Sequence, residues 1–199
     1  MDANELLYVI HFLQSDENHC IDRRTLHENY EWLEYFWRNK YKNGDSSIND
    51  FIDDRGKFFW NLDLIKVLAH EFASIECVGS NKSSNYTQSE EIARATMYLR
   101  YCCNLFDDDI PSCDSIECRQ YKKNKGLCTK QSALKWKNNY DEIFAFKALI
   151  YIVRQIRNNL FHGHKMTIEP IQFERNKRLV SLAAQVTGIL LEKLAVSDY

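Results

Sequence analysis

Only 2 prolines and 6 glycines punctuate the 199 residues of this chain. That scarcity limits the fold more than any other property of the sequence. Tight turns draw heavily on both residue types, so long stretches without them favour helices joined by few sharp reversals. Apolar residues recur at helical spacing along most of the chain, with no hairpin signature and no internal repeat. The expected fold is therefore all-α, a helical bundle. Hydrophobic residues at 45% and aromatics at 13% supply a folded core, and the length suits a single domain.

Read in order, residues 3–14 form a short apolar helix. Residues 25–42 form a second, with Tyr30, Leu33, Phe36 and Trp37 at helical spacing. Trp32, Trp37 and Trp60 read as core. Ser46 or Ser47 can cap a third stretch, which breaks or bends around Gly56 and resumes over 58–77. Residues 79–86 are a polar loop. Thr87-Gln88-Ser89-Glu90 has the form of a capping box and opens a helix to about residue 106. Over 107–130 the pattern stops in a surface excursion that carries Cys113, Cys118 and Cys128 and the basic residues Arg119, Lys122, Lys123 and Lys125. Asn139-Tyr140-Asp141-Glu142 starts a helix that runs to His162, with Gly163 placed to end it. After a link containing Pro170, a last helix covers about 173–196. The single domain thus has an N-terminal helical part, 1–86, and a core, 87–199, interrupted by the 107–130 loop.

A net charge of −2 makes the chain no simple polycation, so nucleic-acid binding would need a local basic cluster. The first fourteen residues carry Asp2 and Glu5 and lack the basic start of a signal peptide. No apolar run is read as approaching the roughly 20 residues of a membrane span. The expectation is a cytoplasmic protein with no membrane partner. The 7 cysteines are odd in number and scattered, which suits reduced thiols. Spacings of four and nine residues between Cys113, Cys118 and Cys128 match no standard zinc knuckle, and neither a metal nor a cofactor is expected.

The stretch from Val153 to Lys165 is the most informative for function. At about 100° per residue, Ile143, Phe146, Ile150, Val153 and Leu160 occupy one sector of the helix, and Arg157 falls inside it. A guanidinium keeps its charge in such a place, so it calls for an anion: a carboxylate of the protein or a phosphate of a ligand. His162, five residues on, lies about 140° away around an ideal helix. It aligns with Asn158, Tyr151 and Phe144 on a second stripe, which suggests one face turned to the helix's own bundle and another to a second protomer. Fraying before Gly163 would let the imidazole swing towards Arg157. Imidazole and guanidinium together suit RNA cleavage by an internal 2′-hydroxyl. The first moves a proton near neutral pH, and the second stabilises the charge that develops on phosphorus.

Arg157-Asn158-Asn159-Leu160-Phe161-His162 is an Arg-x4-His motif with a polar residue beside the arginine. With Gly163, a following basic residue and a long amphipathic helix, it resembles the HEPN superfamily over about residues 139–194. The resemblance implies an all-α bundle, usually dimeric, whose motif helices pair across a composite cleft. It also implies a metal-independent endoribonuclease of the kind found in toxin–antitoxin, anti-phage or RNA-processing systems. On that resemblance Arg157 and His162 would be catalytic and Asn158 supportive, with an antitoxin or regulatory protein as a possible partner. An upstream acidic residue that orients the arginine could be Glu142 or Asp141, although both lie about fifteen residues up the same helix. Lys165 and His164 beside the motif, and Arg119, Lys122, Lys123 and Lys125 in the loop, are candidate RNA contacts. The reading of another class is a non-catalytic module that binds nucleotide, RNA or a partner protein and uses Arg157 for anion binding alone.

Overall fold

The helix expected from residue 25 starts eight residues earlier, at Glu17. The computed structural model describes residues 17–41, 47–75, 95, 98–100, 102–103, 141–161 and 170–197. Five helices have defined bounds: α1 (Glu17–Lys40), α2 (Ser47–Trp60), α3 (Asp63–Ser74), α4 (Glu142–Phe161) and α5 (Pro170–Ser197). Residues 98–100 are helical too, and the described residues contain no strand, so the all-α class holds. The helix expected over 3–14, the loop at 79–86, the capping box and the 107–130 excursion lie outside the described residues. The chain packs as two compact units. One joins Met1–Ile48 to Val153–Tyr199, and the other is the continuous stretch Asn49–Ile152.

In the first unit α1 and α5 pack along each other. α1 buries Leu26, Tyr30, Leu33 and Trp37, and α5 buries Ala183, Thr187, Leu190 and Leu194. Both sets step by four, three and four residues, which keeps one stripe of each helix facing its neighbour. Thr187 is the polar member of the seam. Its hydroxyl lies 3.0 Å and 2.9 Å from the carbonyl oxygens of Ala183 and Ala184, and it accepts from Asn29 Nδ2 at 3.4 Å. The outer side of α1 carries the pairs Arg24–Glu28, His27–Glu31 and Glu34–Arg38. Exposed pairs of this kind add only a few tenths of a kcal/mol each, so the apolar seam holds the helices together. Pro170 opens α5 at a position where its missing N–H has no helical partner to lose.

Trp32 corrects the sequence reading. Trp37 is 3% exposed, whereas Trp32 is 63% exposed. One residue before Leu33, Trp32 lies more than about 100° off the seam defined by Tyr30, Leu33 and Trp37. There it meets Tyr35 edge to face at 6.0 Å, and the two rings line an open apolar groove with Phe36, Leu191, Leu194 and Ala195. A second correction concerns α5. Phe173–Val196 is long and apolar enough to cross a membrane by length and composition, where the sequence reading found no such run. Core helices meet the same two criteria, and α5 has a packing partner in α1.

The second unit centres on aromatic rings. Phe59 of α2 stacks on Phe146 of α4 with centroids 5.5 Å apart and planes 14° apart, and Phe51 packs against both. α2 runs unbroken through Gly56, contrary to the break expected there. The glycine serves a close approach instead: a Cβ on Gly56 would lie 3.3 Å from Phe146 Cδ1 and 3.5 Å from the Ile143 Cα. The interruption falls at Asn61 and Leu62. Asn61 turns its side-chain amide back to the Lys57 carbonyl at 2.9 Å, and Leu62 takes an extended backbone before α3. Arg100 Nε donates to the carbonyl of Ala73 in the last turn of α3 at 3.1 Å, giving a terminal acceptor a partner.

Candidate functional site

The candidate site rests on α4, whose first turn is firmly capped. Asp141 Oδ1 accepts the Ile143 N–H at 2.8 Å, the bond expected of an N-cap aspartate. The Tyr98 hydroxyl accepts the Asp141 N–H at 3.0 Å and lies 3.3 Å from its carbonyl oxygen. Glu142 accepts from Asn61 Nδ2 at 3.3 Å and lies 3.8 Å from Lys57 Nζ. The two carboxylates proposed to orient Arg157 are thus engaged in capping the helix and tying it to α2.

Up to Ile152, α4 belongs to the second unit, where it buries Ala145, Phe146, Leu149 and Ile150. From Val153 onward it belongs to the first, where Val153 and Ile156 are buried and Arg157 is half-buried beside them. The arginine expected within the apolar stripe therefore sits at its margin. Its guanidinium carbon lies 5.3 Å from the centroid of the Tyr30 ring on α1, within cation–π range. Its Nη1 donates to Asn158 Oδ1 at 3.3 Å. Arg157 and Asn158 thus meet side chain to side chain, and the Tyr30 ring, which the sequence marked only as one of the regularly spaced aromatics of its helix, joins them.

Tyr30 is only 4% exposed. Burial disfavours its phenolate and pushes its pKa up to about 12, against the opposing pull of Arg154, Arg157 and Arg38; Glu34 adds to the rise. At neutral pH it is therefore an uncharged phenol, buried in the seam and acted on by three arginines and one glutamate. Arg154, one turn before Arg157 on the same helix, is exposed.

The other stripe of α4 is partly open. Phe144 is 56% exposed, and Lys147 Nζ stands 5.9 Å from its ring and 5.6 Å from that of Tyr151. Tyr151 is held within its own unit by donating to Asn49 Oδ1 at 3.1 Å. Gln155 Nε2 donates to Asn159 Oδ1 at 2.9 Å, which orders the last turn. α4 is described as far as Phe161; His162, Gly163, His164, Lys165 and the loop residues Arg119, Lys122, Lys123 and Lys125 lie outside the described residues. So do Cys113, Cys118 and Cys128. Among the described residues no cluster of His, Cys, Asp or Glu is arranged to hold a metal ion. Cys20, Cys102 and Cys103 are thiols outside any disulfide. No protein-family model matches the chain, and no characterised protein or solved structure is measurably similar to it.

Proposed function

We propose that this protein is a metal-independent endoribonuclease of HEPN type, acting as a toxin or anti-phage defence effector in the cytoplasm. The observation that carries the reading is the last turn of α4, which holds Arg157 against Tyr30 with Asn158 at its side, directly ahead of His162. An ordered guanidinium suits the phosphorane formed when a 2′-hydroxyl attacks the adjacent phosphorus and the 5′-oxygen leaves. In this reading His162 transfers the proton. The products are a 2′,3′-cyclic phosphate and a 5′-hydroxyl. Two copies would pair through their motif helices to form one cleft, with an antitoxin or regulatory protein restraining it.

The deciding experiment incubates the wild type and His162→Ala with total RNA and tRNA in EDTA and maps the ends produced. Chelator-resistant cleavage with cyclic or 3′-phosphate ends, absent from the variant, is the expected result. Intact RNA across a broad panel would sink the enzymatic reading. The packing of Arg157 on an aromatic ring favours one further reading, because it would equally suit a guanidinium kept for binding. A non-catalytic module of that kind would bind nucleotide, RNA or a partner protein, lose the ligand in Arg157→Ala, and show no turnover.

A further inference from the structure

We propose that Tyr30 is the positioning residue of the Arg157 site, its ring fixing where the guanidinium can meet a phosphodiester. This rests on the reading of Arg157 as a phosphate-binding group. An arginine side chain is long and rich in rotamers, and an unanchored one loses much entropy when it binds. Here the guanidinium carbon stands 5.3 Å from the ring centroid of a residue locked in the α1–α5 seam between Leu26 and Leu33. The seam fixes the ring, and the ring fixes the cation.

The chemistry of the anchor matters as much as its place. A carboxylate in the same position would hold Arg157 with a full negative charge and compete with an incoming phosphate. An aromatic face attracts the cation through its quadrupole and adds no formal charge. The hydroxyl adds none either, since burial holds it protonated well above neutral pH. Glu34, the carboxylate acting on Tyr30 from the same helix, is engaged by Arg38 Nη2 at 2.7 Å. Asn158, a neutral acceptor, takes one guanidinium N–H. The ring and Asn158 thus steady the guanidinium without bringing a negative charge of their own to it.

The test compares Tyr30→Phe, which keeps the ring, with Tyr30→Leu, which removes it, each confirmed as folded by circular dichroism. Tyr30→Met replaces the leucine variant if that one unfolds. Three quantities are read: kcat and KM on a short oligouridylate, affinity for that oligonucleotide, and the side-chain Nε–Hε resonance of Arg157 with and without inorganic phosphate. The aliphatic variant is expected to lose about tenfold in kcat, the scale of a partly desolvated cation–π contact. Its Arg157 resonance should lose its ring-current shift and its response to phosphate, with the phenylalanine variant rescuing all of these. Equal activity in the wild type and the aliphatic variant overturns the inference. So does a phenylalanine variant as impaired as the aliphatic one, because the hydroxyl would then be the working part. If the wild type binds the oligonucleotide without cleaving it, the nuclease reading fails and the affinities and resonance decide the role of Tyr30 as before. If the Arg157 resonance responds to neither phosphate nor oligonucleotide, both fall.

Discussion

Two mid-helix glycines should respond to the same substitution with opposite signs. Replacing an interior helical glycine by alanine ordinarily gains about 1 kcal/mol. At Gly56 the new methyl would stand 3.3 Å from Phe146 Cδ1, inside the preferred carbon–carbon separation of about 3.5–4.0 Å. Phe146 cannot retreat, because it is fully buried with Phe59 stacked on it and Phe51 at its edge. The Ile143 backbone, 3.5 Å away, leaves no room on that side. Overpacking of this kind costs about 1–3 kcal/mol, so Gly56→Ala should end about 1 kcal/mol less stable, and Gly56→Val clearly worse. At Gly188 a methyl would meet only the Asn29 amide nitrogen at 3.5 Å, an ordinary contact, so Gly188→Ala should gain about 0.5–1 kcal/mol. Urea unfolding followed by circular dichroism measures both, with an unchanged slope showing that the midpoint reports stability. Stabilisation by alanine at both positions would refute the argument that Gly56 exists for a close approach.

Three shorter predictions test other parts of the structure. Asp141→Ala removes the N-cap of α4 and should cost about 1 kcal/mol, with Asp141→Asn recovering most of it in the same unfolding assay. Trp37→Ala empties a buried seam position and should cost about 3–5 kcal/mol, while Trp32→Ala at an exposed position should stay within about 0.5 kcal/mol; comparable losses from the two would contradict the burial described. In alkali, burial raises Cys102 from 9.0 to about 12, with the neighbouring Cys103 adding to the rise, Cys103 from 9.0 to about 11, and Tyr30 from 10.0 to about 12. The unfolded chain therefore ionises first, so these groups favour the fold fully below pH 9 and progressively less as pH climbs towards 12. The urea midpoint should fall from about pH 9, and a Cys102→Ser, Cys103→Ser double variant should delay that fall towards pH 10.

The helices were legible because a 3.6-residue period survives in almost any context. What the period could not fix is what each deviation from it means. Gly56 interrupts a helical pattern on paper, yet its meaning depends on Phe146, far along the chain, pressing against it. Trp32 shares its apolar character with Trp37 and differs only in angle, which a glance at composition misses. At the site, Arg157 stood out because a charge within an apolar stripe is rare, and Asn158 followed from its neighbour. Tyr30 did not stand out, since a phenol among Leu26, Leu33 and Trp37 looks like core. Only the place of the Arg157 side chain in the fold reveals the cation on its face.

The hydrogen bond from Asn29 to Thr187 spans 158 residues of chain. During synthesis α1 emerges before α5 and waits for the stretch between them before its seam is covered. The intervening stretch Asn49–Ile152 is continuous and can condense while translation proceeds. The half of α4 that carries Arg157 belongs to the later-closing unit. A nascent chain would therefore hold the arginine of its candidate site without its aromatic seat secured until α5 has left the ribosome. Under the proposed ribonuclease activity, this order of closure would keep the site unassembled until α5 has been made.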